Sequence, residues 1–230
     1  MSEEQPRSRG WKLAAAIGGL GAVVAYVGTT VLGGAIVPGY SHVSDSVSSL
    51  TSPGGAHREV LAVGFAAYNA AVVAVGLALP HLASRPRLPL RIAGWLLVAC
   101  GVAGVLMFEP FPQDAMGAPL TPAGTVHIVL AGVSALTLVV AITLAGLAWR
   151  REPDWKRLWV FSLVAAAAIL VTGGVGAAFI TSPYFGLLER TTQLSFLTWF
   201  GVVGATALAQ YRAGGYSAAS ESSSASSARA

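Results

Sequence analysis

The feature that most constrains this chain is an apolar run too long for an ordinary buried helix. Residues 13–37 read "LAAAIGGLGAVVAYVGTTVLGGAIV", without one charged side chain. The hydrocarbon layer of a bilayer takes about 20 helical residues to cross, whereas a signal-peptide core has only about 7–15. This run therefore reads as a retained first span. Five comparable stretches follow, and the six spans are expected at about 11–37, 60–82, 92–108, 124–149, 158–180 and 187–210. Thr121 and Pro122 supply an N-cap and a first helical position for span four. Pro110 and Pro183 lie just past the ends of spans three and five. Transmembrane strands would be shorter and alternate with period two; these runs do neither. The expected fold class is all-α, an integral membrane six-helix bundle. Composition agrees, with 10% charged residues in 230 against about 25% in soluble domains. Cys100, the single cysteine, permits neither an internal disulfide nor a Cys-based zinc site and reads as a small packed side chain.

Basic residues then predict the orientation. Arg7, Arg9, Lys12, Arg85, Arg87, Arg91, Arg150, Arg151, Lys156, Arg157, Arg212 and Arg229 fall on one side. Only Arg58 and Arg190 fall on the other, twelve against two. The positive-inside rule puts both termini in the cytoplasm, with residues 11–212 as the membrane domain. Residues 1–10 and the Ser/Ala-rich 213–230 are expected to be disordered ends. The net charge of +4 is then a topology signal, with a grip on anionic lipid as a further use, and nucleic acid is not needed as a partner.

Scarce polar chemistry collects at the other, arginine-poor end. There "PGYSHVSDSVSSLTSPGGAHRE" follows span one, "FEPFPQDAMGAPLTPAGTVH" joins spans three and four, and "TSPYFGLLERTTQLSF" joins spans five and six. A helix capped by Ser41 would put His42, Asp45, Ser46 and Ser49 on one face. Glu109 ends span three and His127 lies one turn inside span four, where an unpaired histidine is costly. Glu189 and Arg190 open span six, and being adjacent they point in different directions. Arg190 thus needs an acid elsewhere, Asp45 or Asp114. Five acids (Asp45, Glu59, Glu109, Asp114 and Glu189) against two arginines leave this end negative, which calls for a protonated histidine, a metal or an amine. His42, His127 and Asp114 are candidate ligands for a divalent metal such as zinc, although no compact metal motif occurs.

These motifs carry a resemblance. "PGYSHVSDSVSSL" after span one, "FPQD" with "TPAGTVH" before span four, and "GLLER" with Trp199 in span six resemble a bacterial six-span membrane family known as domain of unknown function 998. That likeness implies an integral protein of the bacterial cell membrane with both termini inside; the family supplies no established reaction to carry over. A more distant likeness, to DRAM-like and Sfk-like membrane proteins, implies an association with lipids.

Three functions stay open on the sequence. The first is a lipid-headgroup or amphiphile site, with Arg58 or Arg190 on a phosphate and His42, Asp45, Ser49, Glu109 and Glu189 completing the ligand-binding set. Its enzymatic version is a hydrolase or transferase acting on lipid, with His127 and Asp114 as catalytic residues. The second is a non-catalytic structural or assembly protein whose polar end staples the loops. The third is a small-solute transporter, for which Asn69 in span two and a break at Gly173-Gly174 would be the binding features.

Overall fold

The computed structural model describes residues 4–85, 87–115 and 117–227, with side chains described between residues 8 and 214. Residues 1–3 and 228–230, including Arg229, lie outside the described residues. Among the described residues six helices are long and apolar enough to cross a membrane. They are α1 (Glu4–Ile36), α2 (Arg58–Ala78), α3 (Leu88–Leu106), α4 (Pro122–Trp149), α5 (Leu158–Ala178) and α6 (Phe185–Ser227). α1 starts before the expected first span, and α6 continues as helix into the Ser/Ala-rich tail. α5 passes through Gly173 and Gly174 unbroken.

Each helix packs on its sequence neighbours, and α1 packs on α6, so the six close into a ring. The even number of passes brings both chain ends to the arginine-rich end. Lipid offers apolar side chains no reward for hiding, so association rests on close packing, and the glycines show where. A Cβ on Gly19 of α1 would lie 2.5 Å from the Phe200 carbonyl oxygen of α6. One on Gly76 of α2 would lie 2.7 Å from the Gly94 carbonyl oxygen of α3. At both crossings backbone meets backbone.

Two apolar clusters fill the ring. The larger holds Trp149, Trp155, Trp199 and Phe200, with Trp149 stacked between Trp155 and Trp199. Trp199 Nε1 donates to Ser162 Oγ at 3.0 Å, so this indole has a partner inside the bundle. The smaller cluster holds Tyr26, Phe65, Leu61 and Leu197 together with Val47 and Leu50 from the first connection. That connection is therefore part of the core: it folds into the mouth of the bundle between α1, α2 and α6. His81, at the arginine-rich end, stacks on Trp11 with ring centroids 4.3 Å apart.

Candidate functional site

The polar residues of the arginine-poor end form two clusters, each built around an arginine. In the first, Arg190 lies one turn into α6 and reaches across to the first connection. Nη1 donates to Gly186 O at 2.7 Å and to Asp45 O at 3.0 Å. Nη2 donates to the Tyr40 hydroxyl and to His42 Nδ1, the latter at 3.1 Å. The expected acid partner is replaced by backbone carbonyls. The Asp45 carboxylate instead closes on its own turn, accepting from Ser41 N at 2.9 Å and Ser44 Oγ at 2.8 Å. Short polar side chains favour such local amides, and a guanidinium is equally able to donate to carbonyl dipoles.

Glu189, the neighbour of Arg190, points elsewhere and accepts from Val47 N at 2.7 Å. Two adjacent residues of α6 thus grip the first connection at separate points, and Leu187 N adds a third bond, to Val43 O at 3.0 Å. Accepting at Nδ1 requires a neutral His42 ring with its proton on Nε2; burial and the Arg190 charge both lower its pKa. Burial pushes Tyr40 up to about 12 despite the same arginine, so its hydroxyl keeps its proton. The single capped helix expected here is instead a turn closed by Ser41 followed by a 3₁₀ turn at Ser48–Thr51. Serine hydroxyls bonding their own backbone break the run: Ser46 Oγ accepts from Ser49 N, and Ser49 Oγ donates to Ser46 O.

The second cluster fastens the connection between α3 and α4. Arg58 donates to Thr51 O and Phe108 O, each at 3.0 Å, and pairs with Glu109. Glu109 is 74% exposed, and exposed pairs contribute about 0–1 kcal/mol. Glu109→Gln is therefore expected to change unfolding stability by less than about 1 kcal/mol. Arg58→Ala, which abandons two carbonyls, should cost about 1–3 kcal/mol; chemical denaturation in detergent separates the two.

Asp114 accepts from Thr121 N and Thr121 Oγ1, both at 2.8 Å, while Thr121 Oγ1 accepts from Gly124 N to cap α4. A Cβ on Gly124 would strike the Asp114 carboxylate, so glycine is what lets the acid sit over the helix start. His127 is 4% exposed, and its Nδ1 faces Phe111 O at 2.9 Å and Met107 O at 3.2 Å. With two carbonyls facing it, Nδ1 must carry the proton. His127→Phe keeps the ring but strands those carbonyls and should cost about 1–3 kcal/mol of stability, read as a lower midpoint in thermal unfolding. Gln113 Nε2 links the clusters by donating to Ser46 Oγ at 2.9 Å.

An open depression of about 470 Å³ lies above the first connection, lined by Tyr40, Asp45, Ser49, Ser52, Pro53 and Ala115. Of the nine expected site residues only Asp45 and Ser49 border it. His42, Glu189 and Arg190 gather on one side of the first connection, while Arg58, Glu109, Asp114 and His127 serve the second. The expected metal ligands His42, His127 and Asp114 do not converge: among the described residues no three His, Cys, Asp or Glu side chains form a group that could hold a metal ion. Asn69, 4% exposed, bonds Phe65 O at 3.0 Å and sits where a Cβ on Gly104 would meet it at 2.0 Å; it is a packing contact between α2 and α3.

Sequence reasoning missed Tyr40 and Gln113. Each sits in a quoted polar stretch, but a tyrosine beside proline and glycine gives no signal that distinguishes an arginine partner from an interfacial ring. In comparisons with known proteins, a family model described as "Protein of unknown function (DUF998)" matches residues 7–206. No curated protein and no solved structure matches the chain, so the likeness to DRAM-like and Sfk-like proteins gains no support.

Proposed function

The chain belongs to the DUF998 family of proteins of unknown function, and from this premise we propose that it is a non-catalytic structural membrane protein. One observation carries the reading: five ionisable side chains of the arginine-poor end bond the backbone of the loops. Arg190 holds Asp45 O, Glu189 holds Val47 N, Arg58 holds Thr51 O and Phe108 O, His127 faces Phe111 O, and Asp114 holds Thr121 N. A general base needs a lone pair free to take a substrate proton. Both oxygens of Asp114 already accept from Thr121, and His127, whose unprotonated nitrogen is Nε2, is 4% exposed. The stapled end gives the bundle a rigid cap, and the arginine distribution supports a cytoplasmic location for the opposite end.

Complementation tests this reading. In a strain lacking the gene, variants at Arg58, Asp114, His127 and Arg190 should restore the phenotype in proportion to the folded protein each delivers to the membrane. A variant at His127 or Asp114 that is fully folded yet inactive would overturn it.

A second reading, a headgroup or amphiphile site, is favoured by the depression beside Tyr40 and by Arg190, whose buried Nε has no partner among the described residues. It predicts that Ala115→Trp, at an exposed position lining the depression, abolishes complementation without lowering stability.

A further inference from the structure

We infer that a groove at the arginine-rich end, between the start of α3 and the end of α4, holds the phosphate of an anionic phospholipid. The groove has a volume of about 430 Å³ and is lined by Arg87, Leu88, Pro89, Leu147, Arg150 and Arg151. It lies at the opposite end of the bundle from the stapled cap and does not depend on the reading of that cap.

The charges within it are unequal. Arg87 is neutralised by Glu152, which also accepts from Ser84 N and Ser84 Oγ. Arg87 Nη2 reaches back to Arg151 O at 3.4 Å, which ties the first turn of α3 to the end of α4. Arg150 and Arg151 are different. Both are exposed, and neither guanidinium has an ion-pair or hydrogen-bond partner among the described residues. Nor are they needed to cap α4, because the amides of Arg150 and Arg151 already bond Gly146 O and Ala148 O. α3 also begins here with no side-chain cap and no acidic residue in its first turn, so its positive end adds to the same field. Two uncompensated guanidiniums beside a helix start present many donors to one anion, and phosphate oxygens suit their planar fork.

The walls identify what carries the phosphate. Leu88 is 66% exposed and Leu147 48% exposed, and both belong to the ends of membrane-crossing helices, so the groove opens at headgroup depth. A soluble anion would bind the arginines and leave both leucines bare. A phospholipid covers both at once, its phosphate on Arg150 and Arg151 and the upper part of its acyl chains along Leu88 and Leu147. Basic pockets between helices at this depth suit anionic headgroups.

The test uses the full-length protein in a non-ionic detergent, titrated with dioctanoyl phosphatidylglycerol, dioctanoyl phosphatidylcholine and inorganic phosphate, with binding read by native mass spectrometry. The glycerol lipid should bind about 30-fold more tightly than the choline lipid, the combined weight of two arginines near an anionic headgroup. The double variant Arg150→Gln/Arg151→Gln should lose that preference with an unchanged unfolding midpoint, because both side chains are exposed and unbonded. Arg150→Lys/Arg151→Lys should keep most of it, and Arg91→Gln, at the same end but outside the groove, should keep all of it. Equal binding of the two lipids, an unaffected glutamine double variant, or an equal loss on Arg91→Gln would each overturn the inference. Displacement of the lipid by millimolar inorganic phosphate would overturn it too, by pointing to a soluble anion.

Discussion

Arg87→Ala is expected to lower the unfolding free energy by about 3 kcal/mol, the low end of the range for orphaning one partner of a buried ion pair. Glu152 is only 2% exposed, whereas the Arg87 side chain is 27% exposed, so the variant strands a carboxylate rather than a guanidinium. Glu152→Gln should cost less, because it keeps the shape and removes the charge that Arg87 balances. Acidity gives an independent readout. Burial by itself raises the Glu152 pKa, but the Ser84 amide and hydroxyl and the Arg87 guanidinium together outweigh it and hold the carboxyl below its ordinary value of 4.5. The unfolded chain therefore takes up this proton first as pH falls. The stabilisation is present above about pH 4.5 and is lost as pH drops through the lower folded value. Arg87→Ala should flatten that acid limb in denaturation curves recorded between neutral pH and pH 3; an unchanged limb would remove Glu152 from the account.

A second large effect is expected at the crossing of α1 and α6. Gly19→Ala places a Cβ 2.5 Å from Phe200 O and 2.8 Å from the Gly204 Cα. These are backbone atoms, which cannot rotate aside as a side-chain tip would. The helices must separate, at a cost of about 1–3 kcal/mol for alanine and more for leucine. Gly204→Ala meets the same obstacle from the other side, with Leu20 N at 2.8 Å. Gly28 belongs to the same helix and has nothing within 4 Å of a Cβ. Gly28→Ala should thus be neutral or stabilising by up to about 1 kcal/mol, from helix propensity alone. Opposite signs at two glycines of one helix, measured by unfolding in detergent, would show that α1 is held by close approach; equal effects would show that it is not.

The bundle was legible because length and apolarity alone decide whether a helix can cross a bilayer, and the caps at Thr121 and Pro122 marked a boundary directly. The arginine-poor end was only partly legible. Its residues could be named, but pairing them by charge assigned Arg190 to a carboxylate. The actual acceptors are the Asp45 and Gly186 carbonyls, and every residue has a carbonyl, so sequence gives no sign of which one is used. The first connection was read as one helix because helical spacing was visible there; the serines that divert its amides into turns carried the opposing signal. Glu152 went unnoticed because it stands among arginines whose distribution already had an explanation in topology. What makes it important is burial, at 2% exposure, and burial is not written in the residue type.

Polar side chains of the arginine-poor end fasten the first connection to α6. A double-mutant cycle on Tyr40→Phe and Arg190→Gln, read as unfolding free energy in detergent, tests this most directly. The hydrogen bond that Arg190 Nη2 donates to the Tyr40 hydroxyl, which Tyr40→Phe removes while keeping the ring, predicts a coupling of about 1 kcal/mol or more, within the range for residues in contact. Additive effects, with a coupling below about 0.3 kcal/mol, would mean that the pair does not hold the loop to the helix, and the fastening would have to be abandoned.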